Sequence, residues 1–472
     1  MAGLIGDLLI SAKALTAQQA GVEIAGRNNA NVNNPHHARQ RVILGDRVVV
    51  DGNPGRVGSG VEALSIEQLR DKFLDIGVTR ESSQTGLLQA QQSGLDRAET
   101  ALGERIDRST DSSAIGDLTH SSNGISAGLN DFFNTFDELA ANPADVGTKQ
   151  VLLQKADTLA NKFNVTDQRL GTLQSDLTAE ATVGVSKVNS LLQQIADLNG
   201  QIQSVEIGQP QAAVDLRDSR QAAVEELSKY IDFSTRDVPN GNGQIQIVAK
   251  DAASNDVVLV DKNLVQGNGI ALSGSQITGG VGAPVLGLQG GALKGQLSVR
   301  DGAIQQLRND LKTTADQLAA GVNAAYAPTG GTFFQVPPAS GLLALNPTLT
   351  ATTLKTSATA DSGANDVALA VADVGRKTFA TASGALIDGT ISNFFNKTVS
   401  GLGATLSNAN TKLGDQQLVE QLMTNRRDAV SGVSMDEEMT DLMKFQRSYQ
   451  ASARVISVID QMLDGLVNNM IR

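Results

Sequence analysis

Two adjacent histidines in the segment Asn28–Gln40, NNANVNNPHHARQ, are the residues of this chain whose type most directly suggests chemistry. A closed metal site needs about four ligands, and helper ligands commonly stand three or four residues apart. His36 and His37 have no helper at such a spacing, and His120 stands alone far along the sequence. A metal-binding protein using His36 and His37 is therefore kept as an alternative. The asparagines and Pro35 favour the end of a helix followed by a turn.

The rest of the chain offers few patterns that catalysis uses. Cysteine is absent, which excludes disulfides, thiolate nucleophiles, iron–sulfur clusters and cysteine-based zinc sites. Serine and lysine are plentiful, but no GxSxG, SxxK or phosphate-loop pattern contains them. We therefore predict a protein that is not an enzyme, with no catalytic, cofactor-binding or metal-binding residues and no cofactor.

Charge and hydropathy limit the partners. The chain carries 38 Lys and Arg against 50 Asp and Glu and has no basic stripe, so we do not expect nucleic acid as a partner. No apolar run reaches the roughly 18 residues that a membrane span needs, so we expect no membrane insertion. The opening MAGLIGDLLISAKAL lacks a cationic start and contains Asp7, which is atypical of a secretory signal peptide. Export, if it occurs, is expected to use another route.

Apolar residues recur at spacings of three and four near both ends of the chain. The first stripe consists of Leu4, Leu8, Leu15, Val22 and Ala25. The last consists of Leu442, Phe445, Tyr449, Ser452, Ile456, Ile459, Leu463, Leu466 and Met470. Each stripe predicts an amphipathic helix, the first ending near residues 31–34 and the last beginning at a capping box formed by Ser434 and Glu437. The two helices are predicted to pair as a coiled coil, within one chain or between copies.

Between the ends, helical and strand-like patterns alternate. Residues 42–65 and 233–291 predict short strands and turns, because apolar and polar residues alternate there among glycine and asparagine. A helix is predicted for residues 65–105, and a long one begins after Asn142 and Pro143 and meets no proline before Pro210. The expected fold is mainly α with small β-rich parts (α+β), in an elongated multidomain rod with a body of long helices.

Three domains are predicted from these patterns. Residues 1–45 and 428–472 form a terminal coiled-coil domain that is discontinuous in sequence. Residues 46–235 and 292–427 form the body of long helices, with some strand and loop. Residues 236–291 form a β-rich insert domain.

Asp215, Arg217, Asp218 and Arg220 form a dense charge cluster at helical spacing. Pairs three or four residues apart are ordinary support for a solvated helix face, and we interpret this cluster in that way. The Asn-Arg-Arg at residues 425–427 is interpreted similarly. A polar contact between domains is the alternative for both.

Two terminal segments resemble a known family. ANVNNPHHARQ, residues 30–40, resembles the A-N-x-N-T-P-G-Y-S-R-Q signature that closes the first helix of the flagellar axial proteins, which form rod, hook and hook-associated parts. VSMDEEMTDLMKFQRSYQASARVISVIDQMLDGLVN, residues 433–468, resembles their shared C-terminal helix. His36 and His37 stand where the signature has Gly and Tyr, and Asn34 and Ala38 where it has Thr and Ser.

Segments in the middle of the chain are similar to the hook-associated branch of that family. They are LRDSRQAAVEELSKYIDF at 216–233, GGALKGQLSVRDGAIQQL at 290–307, NDVALAVADV at 365–374 and NRRDAVSGVSMDEEM at 425–439. This branch contains adaptors between the flagellar hook and the filament. Another axial protein, a hook subunit or a flagellin, is the nearer alternative.

The resemblance implies a structural adaptor that polymerises at the hook–filament junction. Its expected partners are further copies in a ring, hook protein on one side, and a second junction protein or flagellin on the other. An export chaperone is expected at the C-terminal helix, with type III export to the extracellular flagellum. The implied assembly interface consists of Leu4, Leu8, Leu15, Val22, Asn31, Asn33, Pro35, Arg39, Leu442, Phe445, Tyr449, Ile456, Ile459, Leu463 and Leu466.

Overall fold

Helix is the main element of the protein, and its strands form small antiparallel sheets. The computed structural model describes residues 2–45, 49–52, 55–58, 60–104, 124–209, 211–335, 341–359, 361 and 363–470. The predicted class, mainly α with small β-rich parts, is confirmed. Within the described ranges, no helix is both long and apolar enough to cross a membrane. His120 lies outside the described residues.

The helices account for most of the described chain. They are α1 (Ala2–Ala30), α2 (Lys72–Leu102), α3 (Ile125–Ala141), α4 (Val146–Glu206), α5 (Val214–Ser228), α6 (Ala292–Ser298), α7 (Gln305–Tyr326), α8 (Asp366–Val374), α9 (Ile391–Ser431) and α10 (Met435–Met470). A π-helical stretch at Val299–Ile304 joins α6 to α7. The sequence pattern did not predict this stretch.

The strands pair locally and antiparallel. They are β1 (Gln40–Gly45), β2 (Val49–Gly52), β3 (Gly55–Gly58), β4 (Glu62–Gln68), β5 (Ser234–Asp237), β6 (Ile245–Lys250), β7 (Asp256–Asp261), β8 (Leu264–Val265), β9 (Ile270–Ser273), β10 (Gln276–Gly279), β11 (Phe334–Gln335) and β12 (Ala344–Leu345). β5 to β8 form a four-stranded sheet in sequence order, while β1 pairs with β4, β2 with β3, β9 with β10 and β11 with β12. The strands predicted for residues 233–291 are confirmed.

The chain divides into two compact units. The first comprises Met1–Gly86, Val185–Gly291 and Gln416–Arg472, and the second comprises Leu87–Gly184 and Ala292–Asp415. The three-domain division and the rod shape expected from the sequence remain predictions.

The second unit is organised around apolar helix seams. In α4 the spaced residues Leu152, Ala156, Leu159 and Phe163 are all buried, as their 3,4 spacing predicts. The segment from α6 to α7 also buries apolar residues that recur every seven positions, namely Leu297, Ile304, Leu311 and Leu318. Aromatic rings complete this core, with Phe132 of α3 and Phe333 packed edge to face at 5.8 Å between ring centroids.

The first unit contains both terminal helices. α1 packs against α10 and also contacts β1 and β4. The predicted pairing of the terminal helices is therefore present within one chain. Because α1 contacts strands as well as α10, its buried positions include Ala17, Ile24 and Asn28 in addition to the predicted stripe residue Ala25.

One helix start differs from its prediction. The helix expected from residue 65 begins at Lys72, because residues 62–68 form β4 and pair with β1. The long helix α4 is capped by Asp145, whose carboxylate accepts hydrogen bonds from the backbone N–H groups of Gly147 and Thr148. The Thr148 hydroxyl also donates to this carboxylate, and that bond together with the two backbone bonds lowers the pKa of the Asp145 carboxyl.

Two predictions about charged residues are corrected. Asp218 and Arg220 are each only 7% exposed, so the interpretation of their cluster as a solvated helix face was wrong. The reason is that α5 packs against β4 and carries both side chains inward. Arg427, interpreted similarly, is 6% exposed. Glu437 was expected to complete a capping box, but its carboxylate accepts a hydrogen bond from Arg39.

The α4 seam makes a direct prediction about stability. Leu159→Ala removes a fully buried side chain, so the free energy of unfolding is expected to fall by about 2–5 kcal/mol. Val165→Ala is the matched control, since Val165 lies on the same helix and is 43% exposed. Urea denaturation followed by circular dichroism measures both variants. Equal losses in the two variants would contradict the assignment of the seam.

Candidate functional site

The turn after α1 is shaped by asparagine side chains. The Asn31 amide donates to the carbonyl of Arg27 at 2.9 Å and so satisfies one of the last helical carbonyls. The carbonyl oxygen of the Asn34 side chain accepts from the backbone N–H of His36 at 3.2 Å. Asn and Pro therefore end the helix as predicted, and the chain continues into β1.

Asn28 joins three elements of the first unit. Its side-chain NH₂ donates to the Gln40 carbonyl at 2.8 Å and to the Glu438 carboxylate at 2.9 Å. Its side-chain oxygen accepts from the Gln40 N–H at 3.0 Å. Asn28 is 1% exposed, so these bonds are made away from water and each lost partner is costly. One amide thus connects α1, β1 and α10.

Arg39 extends this connection to the first turn of α10. Its Nε donates to Glu438 at 2.6 Å, its Nη1 donates to Glu437 at 2.6 Å, and its Nη2 lies 3.5 Å from Asp441. Burial favours the neutral guanidine, but the nearby carboxylates outweigh that effect and raise the pKa of Arg39. The Arg39 backbone N–H also donates to the Ser431 carbonyl at 2.9 Å.

Each histidine of the opening segment faces its own carboxylate on α5. His36 Nδ1 lies 3.1 Å from Glu225 Oε2, and His37 Nδ1 lies 3.1 Å from Asp218 Oδ2. The His37 side chain is 5% exposed. The pairing fastens the turn to α5 through two separate contacts.

Two arginines complete the charge balance around these carboxylates. Arg427 Nη1 donates to Glu225 at 2.9 Å, and Arg70 Nη2 donates to Asp218 at 2.8 Å. Burial penalises the charge of Glu225, but its contact with the His36 ring and the nearby Arg427 lower the pKa of this carboxyl below its ordinary value. Asp75 beside Arg70 differs, because burial dominates and raises its pKa.

The polar cluster of this turn is defined as Asn28, His36, His37, Arg39, Arg70, Asp218, Glu225, Arg427 and Glu438. Six of its members, His36, His37, Arg39, Arg70, Glu225 and Arg427, border a cleft of about 430 Å³. Among the described residues, no group of three or more His, Asp or Glu is arranged to hold a metal ion. The two adjacent histidines point to different carboxylates rather than to a common centre. The arrangement can join elements mechanically through buried ion pairs and hydrogen bonds.

Comparisons with known proteins agree with the terminal and central segments. The family model described as the flagellar hook-associated protein FlgK helical domain matches residues 116–329, and the one described as flagellar basal body rod FlgEFG protein C-terminal matches residues 428–470. Flagellar hook-associated protein 1 of Bacillus subtilis (strain 168) is 26% identical, over 97% of this chain and 97% of its own length. The protein of that name from Escherichia coli (strain K12) is 24% identical, over 99% of this chain and 100% of its own length. The chain belongs to the flagellar hook-associated protein 1 family.

A solved structure, the flagellar hook junction protein FlgK from Burkholderia pseudomallei, is also similar. It is 23% identical and has a TM-score of 0.44, over 56% of this chain and 47% of that one. In this member of the hook-associated protein 1 family, the C-terminal match at 428–470 contains Glu437 and Glu438, which hold Arg39.

The residues predicted for an assembly interface lie in two places. Arg39 belongs to the polar cluster, Asn31 lies at the end of α1, and the Pro35 carbonyl accepts from Arg427 at 3.2 Å. Asn33 is exposed on the turn.

The predicted apolar positions all lie on the paired terminal helices, α1 and α10. Ile459 is 5% exposed and Tyr449 is 37% exposed. The remaining described members are partly buried, namely Leu4, Leu8, Leu15, Val22, Leu442, Phe445, Ile456 and Leu463. Leu466 lies beyond the residues whose side chains are described. Their role in assembly remains a prediction.

Sequence reasoning missed most of the polar cluster. Asn28 precedes the recognised turn, and Glu438 follows the predicted capping box, where the sequence indicates no partner for it. Asp218, Glu225 and Arg427 lie far from the turn in sequence, and helical periodicity does not specify which helix faces another. The one available signal was the density of paired charges in 215–220 and 425–427, which suits contacts between elements as well as a solvated face.

Glu225→Gln tests the cluster through stability and pH. Removing this charge leaves the buried Arg427 with only the half-exposed Asp428 as a carboxylate partner, so unfolding free energy at pH 7 is expected to fall by about 3–5 kcal/mol. Because the folded pKa of Glu225 is lowered, its contribution is complete above its ordinary value of 4.5 and is lost as the pH falls through the lower folded value. The difference in unfolding free energy between wild type and variant should therefore disappear at acidic pH.

Denaturant titrations at several pH values measure that difference in unfolding free energy. Glu226→Gln is the matched control, because Glu226 pairs with the exposed Lys229 and surface pairs contribute only about 0–1 kcal/mol. If the difference persists unchanged to about pH 3, protonation of Glu225 is not linked to stability as proposed.

Proposed function

We propose that this protein is a structural subunit of the bacterial flagellum that polymerises at the hook–filament junction and connects hook to filament. The observation that carries the proposal is the set of large apolar side chains that α10 leaves exposed, in a chain whose matched relatives are named flagellar hook-associated protein 1. One face of α10 packs against α1, and another remains uncovered.

The uncovered apolar side chains are about half exposed and form two short rows, one of Met435, Met439 and Met443 and one of Val455, Val458 and Met462. Within each row the members are three or four residues apart and share one side of the helix, whereas Met443 and Val455 are twelve residues apart, so the two rows lie on different sides. Exposed apolar rows of this kind mark interaction surfaces in soluble proteins. Neighbouring copies that cover these two rows give the terminal helices an assembly role beyond their pairing within one chain.

A ring of copies requires two different complementary surfaces on each subunit. Head-to-tail contacts of this type close into rings or continue as helical stacks, depending on the rotation between copies. The predicted interface residues on α1 and α10 are assigned to those contacts. Hook protein is proposed on one side, and a second junction protein or flagellin on the other.

The remaining features follow from the same proposal. The protein acts without catalysis, and its interface is extracellular after export by the flagellar type III apparatus. An export chaperone is proposed to hold the C-terminal helix before assembly, because that helix exposes apolar side chains in the single chain. The family resemblance implies that the β-rich residues 236–291 lie outermost.

Deletion and complementation test the proposal in cells. A deletion strain is expected to build hooks, release filament protein into the medium and carry no filaments. Loss of the hook itself would favour a hook subunit, and absence of filament protein from both cell and medium would favour a flagellin.

Complementation with Val458→Asp examines the row formed by Val455, Val458 and Met462. Val458 is 48% exposed, so a charge there should leave the monomer folded while blocking filament attachment. Ser457→Asp, on an exposed neighbouring position, is the matched control and should restore motility. Electron microscopy and swimming assays measure the outcome. Full motility with Val458→Asp would contradict the assigned role of the row.

A further inference from the structure

A second cleft in the first unit is lined by an unusual number of cations. It occupies about 200 Å³ between the start of α2, α5 and the strands β5 and β6. Its charged lining consists of Arg70, Lys72, Arg217, Arg220 and Arg236, with Asp75 and Asp237. This cleft is separate in position from the one bordered by Asn31, Pro35 and Ser434, although Arg70 and Asp75 contact both.

Four of the five cations already have a carboxylate partner. Arg217 holds Glu206 with two bonds of 2.7 Å, and Arg70 holds Asp218. The exposed pairs are Lys72 with Asp237 and Arg236 with Asp256, each at 2.6 Å. The charges of these four side chains are therefore balanced within the protein.

Arg220 is held in a different way. Its Nη1 donates to the side-chain oxygen of Asn199 at 2.8 Å and to the Gly243 carbonyl at 2.7 Å. Both acceptors are neutral, and among the described residues no carboxylate lies within ion-pair distance of Arg220. The side chain is 7% exposed, so its charge is largely withdrawn from water.

The two neutral acceptors are themselves fixed. The Asn199 amide donates to the carbonyls of Ile245 and Lys262 at 2.8 and 2.6 Å. Gly243 has a φ of +80°, and a Cβ there would lie 2.4 Å from Glu206 Oε2, so only glycine brings its carbonyl to this place. The plane of the Arg220 guanidinium is thereby set by the surrounding backbone.

This geometry leaves one edge of the guanidinium free. Nη1 uses its hydrogens on Asn199 and Gly243, while Nε and Nη2 donate to none of the residues that the structure describes. An Nε and Nη2 edge presents two parallel donors that match the two oxygens of a carboxylate. Burial and the neighbouring Arg217 lower the pKa of Arg220 to about 10, which reflects a positive charge without full compensation.

We propose that this cleft is a carboxylate-binding site in which the free edge of Arg220 is the main ligand. A small carboxylate suits it, because one buried cation remains to be neutralised and Asp75 and Asp237 also lie in its wall. The carboxylate comes either from a small anion in solution or from an acidic side chain of a second copy of this chain. The cleft opens beside Ile76, which is 49% exposed.

Binding is tested with malonate on the purified full chain, at constant ionic strength set with NaCl. Wild type is expected to show a saturable rise in its thermal unfolding midpoint, since a ligand that binds only the folded state stabilises it. Ile76→Glu places a carboxylate at the opening of the cleft and should abolish that response, whereas Ile76→Gln should retain it. Because Ile76 is exposed, both variants should fold.

Arg220→Lys keeps the charge and removes the two-donor edge, so malonate affinity is expected to fall at least about tenfold, measured by calorimetry. If that variant fails to fold, the Ile76 pair decides the question. The proposal would be overturned if malonate raised the unfolding midpoint of wild type no more than NaCl does. It would also be overturned if the two Ile76 variants responded equally to malonate.

Sedimentation velocity distinguishes the two sources of carboxylate. If a second copy supplies it, malonate and Ile76→Glu should both weaken self-association of the chain. If a small anion supplies it, malonate should stabilise the protein while self-association stays the same. Both outcomes retain the site and separate it from the proposed junction role, which Val458→Asp tests on a different surface.

Discussion

The organisation of the first unit depends on the buried contact between Asn28, Arg39 and Glu438. Glu438 is 3% exposed and accepts one hydrogen bond from Asn28 and one from Arg39. A buried carboxylate in that position is stable only if its donors are present, because an unpaired buried charge is strongly unfavourable. The first helix, the strand that follows it and the last helix are therefore held in one relative arrangement.

The histidines show how a change of residue types is accommodated around that contact. The family signature has Gly and Tyr where this chain has His36 and His37. Each histidine meets a carboxylate of α5, and Arg427 and Arg70 balance those carboxylates in turn. Residues that first suggest metal chemistry thus contribute to a structural junction between the turn and α5.

Periodicity predicted the helices well but gave little information on polar contacts. Leu152, Leu159 and Phe163 are buried as their spacing predicts, since a helical stripe directly records which face avoids water. The burial of Asp218 and Arg220 was missed because a charge pair at helical spacing suits a solvated face and a packed one equally. The π-helical stretch at Val299–Ile304 was missed because the apolar residues before, in and after it still recur every seven positions.

A double-mutant cycle on Arg39 and Glu438 tests the central contact most directly. Arg39→Ala, Glu438→Ala and the double variant are compared with wild type by denaturant unfolding at neutral pH. A direct buried contact predicts a coupling free energy of about 1–3 kcal/mol between the two positions. Additive effects, with coupling near zero, would contradict the claim that this contact holds the terminal helices to the rest of the unit.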